Sequence, residues 1–349
     1  MGNSIRSIVE QSGLAAWWKR IRSERFAIDT TAGFDRVSHP FWMMVSKEVS
    51  DHVRSWRFKI LLILILLTCM GSLYTSVSAI SKGAVPRELE SEFFFLQLFT
   101  LSDGTLPPFH VFIGFIGPLL GISMGFDAIN SEKTSGTLSR VMSQPIHRDY
   151  LINSKFVAAL LVISVLFFAL GFLVMGLGLV IVGIPPSASE FIRVLFFIFL
   201  SVLYVAFWLN LSIFFSVRFR QATTSALTSI AVWLFFTVFY QIFLSLISRA
   251  IMPGEMATPE QISYYQKWIY NLLRVLPSQL YADATATVLV PSIRSLSPLS
   301  MEQVRGAIPG SLSLGQSLLI VWPQLTGLIA STIVCFALSY RTFMREEIR

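Results

Sequence analysis

The chain has 349 residues, 54% of them hydrophobic and 13% charged, with a formal net charge of +7. A mean hydropathy of +0.66, and a charged fraction about half that of a typical soluble domain, exclude an ordinary water-soluble globule. The basic excess follows from membrane sidedness, described below, and calls for no nucleic-acid partner.

Residues 1–38 read as an N-terminal extension. Leu14, Trp17, Trp18, Ile21 and Phe26 are interleaved with Lys19, Arg20, Arg22 and Arg25, a weak amphipathic pattern that a loosely attached basic tail would show equally. Over 39–59 the pattern strengthens into an amphipathic interface helix. Trp42, Val45, Val49, Val53, Trp56 and Ile60 recur at three- and four-residue steps, with Lys47, Asp51, Arg54 and Ser55 mostly opposite. Such a helix lies in the headgroup layer. No cleavable signal precedes the first apolar run, which starts at Ile60, so that run is expected to remain in the mature protein.

Six runs are long enough to cross a hydrocarbon core, which takes about 20 apolar residues. They fall near Ile60–Ile80, His110–Ile129, Phe156–Val182, Phe191–Val217, Ala226–Ile247 and Gln316–Tyr340. The expected fold is an all-α polytopic membrane protein, with a six-helix transmembrane domain over 60–340. In the second run Gly117, Gly121 and Gly125 make two consecutive small-xxx-small steps, which suit close packing inside the subunit or along a dimer seam. Only Asp127 and Arg193 stand near a membrane edge, and no charge falls in the central part of a run. A proton-coupled carrier needs such groups as its relay, so the energy source is expected outside this chain.

Between the second and third runs lies a polar loop, 130–155, well placed to receive force from a soluble partner. Between the fifth and sixth lies the largest other connection, 248–315. There Thr258, Pro259 and Gln261 mark a helix start with a capping box. Leu280 to Pro291 is apolar but too short to cross, and either dips in as a re-entrant element or lies on the surface. Residues 341–349 form a short tail.

Lys and Arg distribute unequally. Nineteen fall in 1–59, 130–155, 218–225 and 341–349, and eight on the other side. The positive-inside bias therefore places both termini and the 130–155 loop in the cytoplasm, and 248–315 outside. Catalytic chemistry finds no support. There is no HExxH, the four histidines have no metal spacing, and the dipeptide Gly-Lys of a P-loop never occurs. Cys69 and Cys335 fall inside apolar runs and read as small core residues. We assign no catalytic, cofactor-binding or metal residue to the chain.

The loop carries Glu132-Lys133-x-x-Gly136-Thr137-Leu138-x-x-Val141-Met142-Ser143-x-Pro145-x-x-Arg148, and continues to Lys155 at the third run. This resembles the cytoplasmic loop of ABC-2 type permeases, the membrane subunits of ABC exporters. The variant is most similar to permeases serving nitrous-oxide-reductase maturation and gliding motility. Glu-Lys stands where Glu-Arg is commoner, and Val-Met-Ser-Gln-Pro where the family has a Leu-Leu-Ser-x-Pro element. The resemblance extends to Lys47-Glu48-x-x-Asp51-x-x-Arg54-x-x-Arg57-Phe58 and to the six-span plan, but not to 1–38.

The resemblance implies a permease that forms a homodimer or pairs with a related subunit in the cell membrane, in contact with lipid. It implies two cytoplasmic ABC ATPase subunits that bind ATP, leaving no cofactor on this chain. It also implies a coupling helix in the loop, flanked by the interface helix, and external helices before the last span that cap the exit. The residues themselves suggest how the loop would work. Gly136 permits a tight bend, Thr137 caps a helix over Leu138–Ser143, and Pro145 stops it. Leu138, Val141 and Met142 offer an apolar edge to a partner's groove, with Arg140 on the solvated side. Arg148 and Lys155 reach phosphates or partner acids, and Glu132 a partner base, or else each charge is simply solvated. Two other functions remain compatible with the sequence: an ATP-independent channel or carrier, and a membrane scaffold or regulatory subunit using the same fold.

Overall fold

A computed structural model of the chain describes residues 39–82, 93–143, 147–183, 185–254, 258–293 and 311–345. The chain divides into two compact units, Met1–Met43 and Met44–Arg349. Of the first, only 39–43 are described. All regular structure in the described residues is helical.

The helix expected over 39–59 is two helices. α1 runs Pro40–Arg54 and α2 runs Trp56–Ser81. Ser55 between them has extended backbone, φ −66° and ψ 139°. Its Oγ accepts the Phe58 N–H at 3.2 Å and donates to the His52 carbonyl at 2.8 Å. Serine thus ends one helix and caps the next, the usual use of a short polar side chain that competes with the backbone. Val45 is buried, while Val53 and Trp56 are exposed.

Six helical segments are long and apolar enough to cross a membrane. α2 is the first. After a short turn at Phe94–Leu96 and the single-turn α3, Gln97–Thr100, the second begins at α4, Phe109–Gly125. α5, Asn130–Thr134, and α6, Thr137–Met142, lie in the polar loop. α7, Arg148–Val182, and α8, Ala188–Arg218, are the third and fourth spans. The fifth is composite: α9, Ala222–Leu234, passes through a π-helical turn at Phe235–Phe239 into α10, Tyr240–Ile251. α11, Pro259–Leu273, and α12, Pro277–Leu289, precede the last span, α13, Leu314–Arg345. The six runs legible in the sequence are the six spans, though the continuous helix of the second ends at Gly125 and that of the third begins eight residues early, at Arg148.

α8 is the packing centre. In its most apolar stretch 72% of residues are buried, against 11% for the fifth span, which stands largely free of the bundle. The glycine stripe of α4 faces α8. A Cβ at Gly121 would lie 2.8 Å from the Val205 carbonyl oxygen, and one at Gly125 2.8 Å from that of Leu209. The two helix backbones touch there, which only glycine allows. Of the two uses the spacing left open, the stripe serves packing inside the subunit.

At the end opposite the polar loop, Thr258 and Gln261 form the expected capping box on α11. α12 is buried among the spans rather than laid on their surface. The Tyr281 ring stacks on that of Tyr204 at 4.4 Å, and its hydroxyl lies 2.9 Å from Ser201 Oγ. Tyr204 in turn donates to the Gly114 carbonyl at 3.1 Å. Arg193, 1% exposed at the start of α8, holds this cap together. It donates to the carbonyls of Val288 at 2.9 Å and Leu312 at 2.6 Å, and to Ser317 Oγ at 3.1 Å. One turn earlier Glu190 accepts the Phe95 N–H at 2.8 Å and closes a capping box with Ser187. Two charges at one helix entrance thus bind three separate segments, and fixed polar partners meet the terminal guanidinium nitrogens of Arg193 and the Glu190 carboxylate.

Candidate functional site

The polar loop is built on the ends of α4 and α8. Ser216 Oγ accepts the backbone N–H groups of Ile129 and Asn130, at 2.9 and 3.2 Å, where α5 begins. Lys133 donates to the Val217 carbonyl at 2.9 Å. The chain then turns at Gly136, whose φ of +69° lies in the left-handed region that favours glycine. The helix expected over Leu138–Ser143 follows one residue early, as α6. Thr137 is its first residue, with a hydroxyl directed back to the Glu132 carbonyl at 3.4 Å.

An ionic cluster locks this hairpin to two other helices. Lys155, 5% exposed on α7, places Nζ 2.7 Å from Glu132 Oε1 on α5 and 3.1 Å from Glu48 Oε1 on α1. Lys47 reaches the same Glu48 oxygen at 2.9 Å and Asp51 at 3.3 Å. Beside them Arg57 of α2 bonds Asp127 at 2.6 Å and lies 5.0 Å from the Phe126 ring centroid. A cavity of about 260 Å³, lined in part by Glu48, His52, Asp127 and Glu132, opens between these elements. Burial alone would raise the Glu48 carboxyl, but the attraction of Lys155 and the bonds from Lys47 and Lys155 hold it below its ordinary range. Burial, with Lys155 adding to it, also lowers the His52 imidazole, against the pull of Glu48, Asp127 and Asp51.

Three expected roles change with this geometry. Glu132 and Lys155 were each expected to face a partner or solvent, and instead they pair with one another. Their side chains converge in the interior, where an unpaired charge would be costly. Arg148 donates from Nη2 to the Phe343 carbonyl at 3.0 Å and stacks 5.2 Å from the Phe343 ring, so it anchors the start of α7 to the end of α13. Leu138, expected on a partner-facing edge, is 3% exposed and belongs to this chain's own core. The loop closes over its own spans, and the inward face of a two-turn helix takes the leucine. Gly136, Thr137, Arg140 and Ser143 remain exposed. Met142 ends α6, while Pro145 lies outside the described residues.

Glu48 and the Arg57–Asp127 pair escaped assignment from sequence. The available signal was an acid three residues after Val45, on the edge of the apolar face of α1. Its partner stands 107 residues away, so local spacing says nothing of it. Among the described residues no group of three His, Cys, Asp or Glu is placed to hold a metal.

A helical hairpin braced by buried ion pairs on a six-span bundle agrees with the sequence resemblance. A sequence model described as ABC-2 family transporter protein matches residues 42–348. The chain belongs to the ABC-2 family of transporter proteins. It is also 23% identical over 243 residues to a protein of Pseudomonas aeruginosa described as "Probable ABC transporter permease protein NosY", covering 69% of this chain and 79% of that relative. As an ABC-2 family member with six apolar spans, the chain is a multi-pass membrane protein. The family is one of transporter permeases, which are not themselves catalytic and which generally work with ABC ATPase subunits.

Proposed function

We propose that this chain is the membrane permease subunit of an ABC transporter, moving a substrate at the expense of ATP hydrolysed on a separate ATPase subunit. The reading rests above all on Lys155, which binds α5 through Glu132 and α1 through Glu48. A partner pressing on the α5–α6 hairpin would move α7 and α1 with it, because breaking a buried ion pair is costly. The exposed surface at Gly136, Thr137, Arg140 and Ser143 is then the docking face. Glu132, Leu138, Arg148 and Lys155 hold it in position.

In this reading ATP binds the partner and no cofactor binds this chain, in keeping with the missing P-loop. The loop end and both termini face the cytoplasm of a cell whose membrane holds the protein, as the charge bias requires. Two copies, or this chain and a related permease, enclose the path. The test is to co-express the chain with a P-loop ATPase, purify the complex and reconstitute it in liposomes. A stable complex whose ATPase rate rises on assembly and whose transport requires ATP is expected. Transport by the chain alone without nucleotide would overturn the reading in favour of an autonomous carrier. An assembled ATPase with no transported solute would favour a scaffold or regulatory subunit.

A further inference from the structure

A cleft of about 500 Å³ at the loop end separates the last turn of α8 from the last turns of α13 and is lined by Val217, Arg218, Leu338, Arg341, Thr342 and Arg345. Three of its six residues are arginines and none is an acid. Among the described residues none of the three guanidiniums has a carboxylate within ion-pair reach. Elsewhere at this end Arg57 and Lys155 are matched to carboxylates.

The surface leading into the cleft is apolar. Val334, Leu338, Arg341 and Arg345 follow one another at steps of four, three and four residues, and so share one face of α13. Val334 and Leu338 are 57% and 49% exposed. One stripe of a membrane-spanning helix thus passes from bare hydrocarbon to two guanidiniums, with a third supplied across the cleft by α8. Arginine presents a fork of donors suited to phosphate oxygens, and basic pockets between span ends hold anionic headgroups. We propose that this cleft binds one anionic glycerophospholipid, its phosphate between Arg218, Arg341 and Arg345 and an acyl chain along Val334 and Leu338. The apolar stripe argues for a lipid rather than free phosphate, and the position at the end of two spans argues against a protein acid.

The test is native mass spectrometry of the purified full-length protein, titrated with phosphatidylglycerol, phosphatidylcholine or inorganic phosphate. Phosphatidylglycerol should bind at least tenfold tighter than phosphatidylcholine, and excess phosphate should not displace it. Each Arg→Gln change should weaken it about fivefold and the triple change on the order of a hundredfold. Arg→Lys at Arg341 should retain part of the affinity, while Arg54→Gln, at the same end but outside the cleft, should change nothing. An unaltered melting temperature establishes that the variants fold, and single changes replace the triple if it does not. Equal affinity for the two lipids, displacement by phosphate, or full affinity in folded cleft variants would overturn the proposal. So would a triple variant that keeps its lipid but loses a bound ATPase, which would make the cleft a protein contact.

Discussion

The ammonium of Lys155 lies 2.7 Å from the carboxylate of Glu132, at opposite ends of the segment that leaves the second span and returns as the third. The same ammonium reaches Glu48 at 3.1 Å, so one buried cation balances two acids on different helices. Neither acid has another way to meet the cost of its burial than through this neighbourhood of bases. The loop is therefore positioned from beneath, and its exposed residues need contribute little to its placement.

Replacing Lys155 by Met should leave two carboxylates facing each other in the interior. The expected loss is about 3–5 kcal/mol, read as a lowered melting temperature in detergent. Adding Glu48→Gln and Glu132→Gln to that variant should recover much of it. A triple variant no more stable than the single one would show that the loop is held by other contacts.

Acid should weaken the same region in two steps. The unfolded His52 takes up a proton near 6.5 and the folded one only at lower pH, so unfolding is favoured as pH falls below 6.5. Glu48 is held below its ordinary 4.5, so its contribution is complete above that value and is lost as pH falls through the folded-state value. Melting temperature should decline across both windows, and His52→Gln should remove the upper decline alone.

At the opposite end, Arg193→Met should free two carbonyls and a hydroxyl inside the cap. Buried acceptors without donors cost about 1–3 kcal/mol each, so the end of α12 and the start of α13 should exchange amide hydrogens faster. Lysine at this position should restore only part of the protection, since an ammonium lacks the guanidinium fork.

Gly121→Ala and Gly125→Ala should each press a methyl against α8 backbone at 2.8 Å. Overpacking of this kind costs about 1–3 kcal/mol. Gly176→Ala, where a Cβ would meet nothing within 4 Å, is the matched control and should leave the melting temperature unchanged.

In the loop, Leu138→Asp should lower the stability of the hairpin itself by several kcal/mol, because the leucine is buried within this chain. Arg140→Glu, on the exposed face, should leave the melting temperature unchanged and weaken ATPase binding. Arg140→Ser should do little. Equal loss of ATPase binding in all three at unchanged stability would place Leu138 back at the partner.

The six spans, the two-step glycine stripe, the Thr258–Gln261 cap and the bend at Gly136 were legible from residue order. Each depends on an apolar length, a helical period or a local backbone requirement, and these act within a few residues. The direction of Leu138, the break at Ser55 and the inward turn of Arg193 were not. The same side chain suits either side of a helix end until a neighbouring element covers one of them. Lys155 makes the limit plain. Its charge and its place at the start of a span were visible, yet whether it faces water or Glu48 depends on helices joined through more than a hundred residues. Membrane burial selects the spans from composition alone, whereas the pairing of charges follows from packing, because only packing decides which of them lose their water.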